Sequence, residues 1–314
     1  MKFLFIMDPI ENIKPHKDTS YALICAALDR DHELFYTTQH ELVLRHDVLF
    51  AHCSRIQAPQ EAGRHLVVEE RMVTDLGNMD AVFIRTDPPF DRRYFYLTLL
   101  LDFLPKETQV INRAQTLRDW NEKLAALQFP SLTPRTLVAR TVESILGFQK
   151  DLNCILTIKP IDGHGGRGIF FLEPGNRNNE AIISAATHEE SQWVLAQEYL
   201  IAATEGDKRI LLLNGEPLGA ILRVHAEGKD LNNLDAGGRA IPSELTDAER
   251  SICEEIKPYL LEKGLLFTGI DVIGEKLIEI NVTSPTGIQE MSRFTGRNLS
   301  VEVIEAVEIL CNAR

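Results

Sequence analysis

The sequence predicts an α/β protein that begins with an open α/β sheet and becomes α+β in its C-terminal half. Over roughly the first 115 residues, apolar strand-like runs alternate with helical segments, which is the pattern of such a sheet. In the second half, turn signals such as Asn214-Gly215 separate neighbouring strands and indicate antiparallel hairpins. A length of 314 residues is enough for two or three packed units.

Four strands and two helices are predicted in the first unit. The strands are Lys2 to Met7, His32 to Tyr36, Ala81 to Arg85 and Gln109 to Asn112, and the helices are about Asp18 to Arg30 and Tyr94 to Phe103. Ligands of open α/β sheets lie beyond the carboxyl ends of the strands, where polar loops follow Met7 and Arg85. Arg85 is therefore a candidate to contact an anionic group, because a guanidinium matches a carboxylate in a fork. The alternative is a surface arginine that only closes a strand.

A helix is predicted from Leu117 to Leu127, with Lys123 within it, and Pro130 and Pro134 indicate a domain boundary. The next unit alternates again. Its predicted strands are Thr136 to Ala139, Cys154 to Pro160, Ile169 to Leu172 and Trp193 to Leu200, and its helices are Thr141 to Lys150 and Glu180 to Ala186.

A glycine-rich loop joins two of these strands. Residues 162–168 match the letter pattern G-x-G-x-x-G, but a dinucleotide-binding fingerprint requires a helix after Gly168, and the apolar run that follows predicts a strand. We therefore expect a strand-loop-strand flap. Glycines let backbone N–H groups approach phosphate oxygens, and Lys159 stands just before the loop. The alternative is a flexible hairpin loop without a ligand.

The last third of the chain is predicted to contain two hairpins and two long helices. These are the strands Ile210 to Leu213 and Pro217 to Val224, a second hairpin within 270–281, and the helices Asp247 to Lys263 and Leu299 to Asn312. The polar, glycine-rich stretch from His225 to Gly238 is interpreted as a mobile active-site loop.

The second hairpin carries a candidate metal site. Asp271 lies on its first strand, and Glu279 and Asn281 lie two residues apart on its second strand, so their side chains share a face. Three oxygen ligands suit Mg²⁺, which keeps phosphates as its remaining ligands. The alternative is a solvated hairpin, but the hydroxyl-rich, Pro- and Gly-containing tail at 281–287 favours a site.

Together these features are the inventory for binding a triphosphate with Mg²⁺. Two lysines, the flap, the cationic strand residues Arg209 and Arg223, and the oxygen set are spread over one half of the chain. Catalysis in such a site is positioning plus charge neutralisation at the γ-phosphate. No Ser-His-Asp or Cys-His nucleophile pattern stands out in the sequence.

The motifs together resemble the bacterial glutathione synthetases of the ATP-grasp superfamily over nearly the whole chain. They are Met7-Asp8-Pro9-Ile10, Arg85-Thr-Asp-Pro-Pro-Phe-Asp91, Asn121-Glu-Lys123, Lys159-Pro-Ile-Asp-Gly-His-Gly-Gly166, Gly206-Asp-Lys-Arg209, Asn214-Gly-Glu-Pro217, Ala236-Gly-Gly-Arg239 and Glu279-Ile-Asn-Val-Thr-Ser-Pro-Thr-Gly287. The resemblance implies an N-terminal α/β domain (1–122), an ATP-grasp lid with the flap (123–196) and an ATP-grasp body with the metal site (197–314). It also implies that γ-glutamylcysteine and glycine are joined through an acyl phosphate, with release of ADP and phosphate.

The resemblance further assigns roles to individual residues. The residues that would bind ATP are Lys123, Lys159, Gly163, Gly165, Gly166, Gln197, Glu198, Tyr199, Leu200 and Asp207. The ligands of Mg²⁺ or Mn²⁺ would be Asp271, Glu279 and Asn281, and Arg209 and Arg223 would neutralise the reacting oxygens. The residues that would bind the substrates are Arg85, Gly237, Gly238, Arg239, Asn281, Ser284, Thr286 and Gly287. A homo-oligomer is also implied.

Three positions depart from the family pattern, and each change removes a positive charge. Leu231 and Gln289 stand where the family tends to have arginine, and Thr86 replaces a lysine found in some members. A ligase acting on a different γ-glutamyl or peptide-like acceptor pair is therefore the alternative function. A nucleotide-binding protein without turnover and a dinucleotide-dependent oxidoreductase are rival classes, but the first expects a missing metal or phosphate residue and the second a helix after Gly168.

The composition sets limits on partners and compartment. Hydrophobic residues make up 44% and charged residues 25% of the chain, which is ordinary for a soluble globular protein. The net charge of −13 argues against nucleic-acid and anionic-lipid partners but allows a locally basic cleft. Five scattered cysteines indicate a reducing cytoplasm, and no segment is predicted to be a signal peptide or a membrane span.

Overall fold

The computed structural model describes residues 1–57, 65–225 and 238–313, in which the strands form three sheets. The strands are β1 (Lys2–Met7), β2 (Glu33–Thr37), β3 (Leu42–Arg45), β4 (Val48–Gln57), β5 (Val67–Asp75), β6 (Ala81–Arg85), β7 (Gln109–Ile111), β8 (Thr136–Ala139), β9 (Leu156–Pro160), β10 (Phe170–Leu172), β11 (Val194–Glu198), β12 (Asp207–Leu213), β13 (Glu216–Val224), β14 (Arg239–Pro242), β15 (Phe267–Ile273) and β16 (Lys276–Asn281). The helices are α1 (Thr19–Leu28), α2 (Arg92–Leu100), α3 (Ala114–Asp119), α4 (Glu122–Ala126), α5 (Val142–Leu152), α6 (Asn179–Ala186), α7 (Asp247–Lys263), α8 (Ile288–Thr295) and α9 (Leu299–Asn312).

The first sheet has seven strands, in the order β3-β4-β2-β1-β6-β7, with β5 paired to β4. The central strands β2, β1, β6 and β7 are parallel, as the alternating pattern predicted, and β3, β4 and β5 are antiparallel. The sequence analysis did not predict these three strands. No residue of β5 is buried, so it lacks the apolar run or alternation on which strand prediction depends.

Two polar loops lie side by side at the carboxyl ends of β1 and β6, as predicted. Met7 and Arg85, the last residues of these strands, are register partners. The backbone N–H of Asp87 donates to Asp8 Oδ2 at 2.9 Å, which joins the two loops. This edge of the sheet faces the C-terminal part of the chain, because Arg85 donates to the carbonyl of Pro285 at 3.0 Å.

Alternate residues of β1 belong to two different cores. Phe3 and Phe5 pack in a cluster with side chains of α1 and α9, and Leu4 and Ile6 pack in a cluster that includes α2. Arg30, just beyond α1, reinforces the first arrangement, because its guanidinium donates to both carboxylate oxygens of Glu308 on α9 at 2.7 Å.

The second sheet has the order β10-β9-β11-β8, is antiparallel throughout and has its own core with α5 and α6. Strand β10 follows the glycine loop and pairs back onto β9, so the strand-loop-strand prediction is confirmed and the dinucleotide-fingerprint reading is wrong. The boundary at residues 196 and 197 remains a prediction; β11 crosses it and ends at Glu198.

The third sheet has the order β14-β13-β12-β15-β16 and is also antiparallel. Asn214 and Gly215 turn between β12 and β13 with φ values of 53° and 75°, which is the predicted type I′ geometry. Helix α7 has the bounds that the sequence predicted, with a Thr246 and Glu249 capping box at its start. Strand β14 and helix α8 were not predicted.

The predicted helix from Leu117 to Leu127 is wrong in one respect, since the chain forms two short helices there. Trp120 is extended, with φ −129° and ψ 96°, and ends α3. The Asn121 side chain then accepts hydrogen bonds from the N–H groups of Lys123 and Leu124 and caps α4. This break places Lys123 in the first turn of a new helix.

In the described ranges, no helix is both long and apolar enough to cross a bilayer.

Candidate active site

A cavity of about 240 Å³ lies between the second and third sheets. It brings together every residue that the sequence analysis connected with nucleotide, metal or reacting oxygens. These are Lys123, Lys159, Gly163, Gly165, Gly166, Gln197, Glu198, Tyr199, Leu200, Asp207, Arg209, Arg223, Asp271, Glu279 and Asn281. Residues far apart in the chain meet here, since Glu122 and Glu279, 157 positions apart, both line the cavity.

The flap at residues 162–168 closes one side of the cavity. Gly165, Gly166 and Gly168 have φ values of 66°, 76° and 72°, a left-handed conformation that side chains with a Cβ rarely adopt. At Gly168 a Cβ would also lie 2.9 Å from Pro160 Cγ. The glycines are therefore required by the course of the loop, which brings backbone atoms into the cavity.

Two lysines enter the cavity from different elements. Lys159, on β9, donates to Gln197 Oε1 at 2.9 Å, and burial lowers its pKa to about 8. Lys123 donates to the carbonyl oxygen of Gly163 in the flap, and its Nζ lies 3.9 Å from Glu279 Oε2. Both ammonium groups are thus held by oxygen atoms that phosphate oxygens can replace.

The hairpin of β15 and β16 supplies the oxygen set. Asp271 and Glu279 are register partners, as are Gly269 and Asn281. Burial and the neighbouring Asp271 carboxylate raise the pKa of Glu279 to about 7. Two carboxyl groups this close favour a cation between them, because one proton or one metal ion relieves their repulsion.

Two arginines hold Asp271 from the other side. Arg209 donates to both of its carboxylate oxygens, and Arg223 Nη2 lies 2.8 Å from Asp271 Oδ2. Arg223 also forms a forked pair with Asp207, at 2.8 and 2.6 Å. Burial alone would raise the pKa of Asp271, but the two guanidinium groups hold it well below its usual range. Asp271 is therefore a carboxylate.

The residues fit a hard divalent cation. Two carboxylates and one amide oxygen are ligands of the type that Mg²⁺ takes, with phosphates and water completing the shell. Asn281 supports this, since its Nδ2 atom is buried and has no hydrogen-bond partner. The described part of the chain contains no cluster of three or more acidic, His or Cys side chains that could hold a metal.

An apolar slot adjoins the carboxyl end of β11. Tyr199 packs edge-to-face against Phe171 with ring centroids 5.6 Å apart, and Ile273 and Ile278 line the same cavity. Glu198 is not free to bind a cation there, because its carboxylate already accepts from the N–H and Nε of Arg135 at 3.0 and 2.6 Å. Apolar and aromatic side chains of this kind commonly line ligand pockets.

Of the described residues assigned to the acceptor substrates, Asn281 alone lines this cavity. Arg85 is 5% exposed and donates to Ser20 Oγ and to the Pro285 carbonyl, both at 3.0 Å. It therefore holds the loop at 282–287 in place, and its direct contact with substrate remains a prediction. Ser284 and Thr286 lie in that loop, and Gly287, with φ 112°, begins α8.

The other acceptor positions lie at the start of β14 or beyond the described residues. Gly238 and the exposed Arg239 precede and begin β14, whereas Gly237, Leu231 and the predicted loop at 226–237 lie outside the described residues. Gln289, one of the three departures from the family pattern, contacts the N-terminal part of the chain. Its amide donates to the carbonyls of Pro15 and Asp18 at 3.0 and 2.5 Å, so it ties α8 to the loop before α1.

Sequence reasoning missed four polar residues of the cavity. They are Glu122, Thr157, His164 and Arg167. Glu122 and His164 stand within motifs that had been noticed, but only their neighbours were given roles. A cap at Asn121 was a recognisable signal for the helix start that aims Glu122 inward.

Comparison with known proteins gives a consistent result. The sequence profile of the prokaryotic glutathione synthetase N-terminal domain matches residues 1–118, and that of the prokaryotic glutathione synthetase ATP-grasp domain matches residues 122–296. The glutathione synthetase of Mesorhizobium japonicum is 40% identical over 98% of each chain. The glutathione synthetase of Gloeobacter violaceus is 42% identical over 97% of this chain and 96% of the relative.

Solved structures of other ligases share the fold. D-cycloserine synthetase DcsG superposes with a TM-score of 0.71 at 11% identity, covering 99% of this chain and 100% of that chain. D-alanine–D-alanine ligase from Bacillus anthracis, solved with ATP, superposes with a TM-score of 0.61 at 12% identity, covering 99% and 98%.

The fold and the cavity define an ATP-dependent ligase of the ATP-grasp class, which uses ATP with a divalent metal. Within that class, the chain belongs to the prokaryotic glutathione synthetase family.

Proposed function

We propose that the protein makes glutathione from γ-glutamylcysteine and glycine, using one ATP. The cysteinyl carboxylate attacks the γ-phosphate and forms an acyl phosphate, while ADP leaves. The glycine amine then attacks the acyl carbon, loses a proton, and expels phosphate. A different acceptor pair is not favoured, since the full-length relatives are named glutathione synthetase.

The observation that carries this proposal is the charge arrangement of the cavity. Two lysines and two arginines surround the Asp271 and Glu279 pair, and each cation is held by an oxygen atom of the protein. When a triphosphate binds, its oxygen atoms take over contacts of this kind. Arg209 and Arg223 then neutralise charge that develops on the transferred phosphoryl oxygens, which is the main source of catalysis in phosphoryl transfer.

We assign the remaining roles by position in the cavity. Lys123, Lys159 and the glycines of the flap hold phosphates, Gln197 to Leu200 meet the adenine, and Asp207 lies near the nucleotide. Asp271, Glu279 and Asn281 hold the metal, which we take to be Mg²⁺, with Mn²⁺ as a substitute. When bound, the metal neutralises phosphate charge and orients the γ-phosphate.

The proposed roles are divided between three parts of the chain. We propose that residues 1–122 position the acceptor side, that residues 123–196 form the lid, and that residues 197–314 form the body. The acceptor substrates then enter near the 282–287 loop, where Ser284, Thr286 and Gly287 lie, together with Gly237, Gly238 and Arg239.

A test of the function is ADP release against a panel of γ-glutamyl peptides and amino acids. We expect γ-glutamylcysteine with glycine to give the fastest release and glutathione as the product. Faster ligation of another pair would overturn the substrate assignment but leave the ATP-grasp ligase class intact. A metal series of Mg²⁺, Mn²⁺ and Ca²⁺ in the same assay tests the choice of ion.

We also propose that the protein is a cytoplasmic homo-oligomer acting on small molecules, without nucleic-acid or membrane partners. None of the five cysteines, all of which are described, forms a disulfide, which suits a reducing compartment. An apolar stripe on α2 and the turn after it supports association. It consists of Phe95, Tyr96, Leu99 and Phe103, which are 41%, 55%, 37% and 48% exposed. Leu99→Glu should lower the mass measured by light scattering, and an unchanged mass would rule out this surface.

A further inference from the structure

One carboxylate oxygen of Glu122 holds the start of the 282–287 loop. Its Oε1 atom accepts from the backbone N–H groups of Val282 and Thr283 at 2.8 and 3.0 Å, and from Thr283 Oγ1 at 2.8 Å. Three donors converging on one anionic oxygen fix both the distance and the direction of the loop. Glu122 also lines the cavity itself.

The position of this contact along the chain matters. Val282 directly follows Asn281, the last residue of β16, so Glu122 acts one residue beyond the oxygen set of the hairpin. The loop has two further anchors. Arg85 donates to the Pro285 carbonyl at 3.0 Å, and Arg209 donates to the Thr286 carbonyl at 3.4 Å. The first turn of α4, to which Glu122 belongs, also touches the flap.

The residues on either side of Glu122 make contacts at the flap. Asn121 Nδ2 donates to the Ile161 carbonyl at 3.4 Å, and Lys123 Nζ donates to the Gly163 carbonyl. The Asn121 side chain also caps α4, so these three residues form a single rigid turn. The same turn therefore contacts the flap on one side and, through Glu122, the 282–287 loop on the other.

We propose that Glu122 is a positioning residue that couples the flap to the 282–287 loop. It moves no proton and touches no reacting atom. It holds the loop, and the Asn281 side chain before it, in the arrangement that the acceptor substrates require when the flap is closed over ATP. The proposal rests on the proposed function for its kinetic consequences, but the coupling itself can be measured without turnover.

The first experiment follows hydrogen exchange with and without a non-hydrolysable ATP analogue and Mg²⁺. In the unmodified protein, we expect exchange to slow both in the flap at 162–168 and in the loop at 282–287. In Glu122→Ala, the flap should still slow and the loop should not. Full protection of the loop in Glu122→Ala would overturn the proposal. This readout does not depend on which acceptor is ligated.

The second experiment separates KM from nucleotide affinity. The loss of hydrogen bonds to a charged group weakens binding roughly ten- to a hundredfold. We expect Glu122→Ala to raise the KM for γ-glutamylcysteine by such a factor, with the dissociation constant of the ATP analogue changed less than about threefold. Glu122→Gln should recover most of the loss, because its amide oxygen still accepts from N–H groups. Equal loss of nucleotide and acceptor binding would indicate a merely structural role and contradict the proposal.

Two further variants keep the test decisive. Glu143→Ala removes an exposed first-turn glutamate from α5 and is the matched control, expected to change neither exchange nor KM. Thr283→Val removes one of the three donors and keeps the side-chain shape, so it should show the same changes to a smaller extent. If Glu122→Ala does not fold, Thr283→Val decides: an unchanged loop and an unchanged KM would overturn the coupling. If the unmodified protein ligates another pair, the proposed function fails while the exchange result stands.

Discussion

Asp271 and Glu279 are direct partners across the β15–β16 hairpin, yet their carboxyl groups have opposite surroundings. Arg209 and Arg223 lie against Asp271 and overcome the effect of burial, so the pKa of Asp271 is lowered. Glu279 is buried beside that carboxylate, and its pKa is raised to about 7. Asp271 is therefore a permanent anion, whereas Glu279 needs a neighbouring cation to become fully ionised.

This difference leads to the first prediction. Glu279→Gln should abolish ADP release, while the ATP analogue still binds weakly, because a divalent metal held by the Glu279 carboxylate would contribute several kcal/mol to the stabilisation of charge in the transition state. Turnover and calorimetric binding should be measured on the same preparation. Near-normal turnover would contradict the metal assignment.

The flap supplies the second prediction. In Lys123→Met the contact between Lys123 and the Gly163 carbonyl is lost, so residues 162–168 should exchange amide hydrogen faster without nucleotide. Adding the ATP analogue and Mg²⁺ should slow exchange in the unmodified protein and have less effect in the variant. Lys150→Met, on the lid helix α5, is the control. Identical exchange in Lys123→Met and the unmodified protein would show that this contact does not hold the flap.

Gln289 is predicted to be structural. Gln289→Ala removes two hydrogen bonds to the loop before α1, so it should lower the free energy of unfolding by about 1–3 kcal/mol, with kcat unchanged. Denaturant unfolding and steady-state kinetics measure the two effects. Arg293→Ala, which removes an exposed contact to His16 in the same loop, should be nearly neutral. A large fall in kcat for Gln289→Ala with unchanged stability would show instead that Gln289 acts in the active site.

The ion pair between α1 and α9 should make stability depend on pH. Glu308 on α9 accepts hydrogen bonds from Arg30 and, to a lesser extent, from His32, and these lower the pKa of Glu308 from 4.5 to about 2. Because the folded-state pKa is lowered, the stabilisation is present above about pH 4.5 and disappears as the pH falls towards 2. Glu308→Gln should thus lower Tm by roughly 2–4 °C at pH 7. The difference in Tm from the unmodified protein should shrink below pH 4. A pH-independent difference would exclude this ion pair as its cause.

Much of the fold was predictable because local chemistry agrees with the final structure. Asn214-Gly215 adopts the only turn geometry that two adjacent positive φ values favour in a hairpin, and Thr246 caps a helix whose bounds were predicted correctly. Strand β5 was missed because it lies at an edge of the sheet with no buried residue, and an apolar pattern in the sequence does not identify such a strand. The break at Trp120 was missed because no proline or glycine stands there and only the Asn121 cap marks it.

The candidate site divides in the same way. The lysines, the flap glycines, the two arginines and the oxygen set of the hairpin were found from their chemical type and spacing, whereas Asp207 and the residues from Gln197 to Leu200 were found from the family resemblance. The contacts that hold them were not, because Glu122, Arg85 and Gln289 bind backbone carbonyl and N–H groups far along the chain. Such partners carry no side-chain signal in the sequence. Positioning residues are therefore visible only after the chain has folded.

Helix α9 has a consequence for how the molecule is made. It completes the core that begins with Phe3 and Phe5, so one face of the N-terminal sheet is covered by residues 299–312. On the ribosome, that face stays open to water while nearly all of the chain is synthesised, and the first strands can only finish folding after residue 312 has emerged. A truncation before residue 299 would leave this apolar surface exposed, and the shortened chain would depend on chaperones or aggregate, although it retains every residue of the cavity.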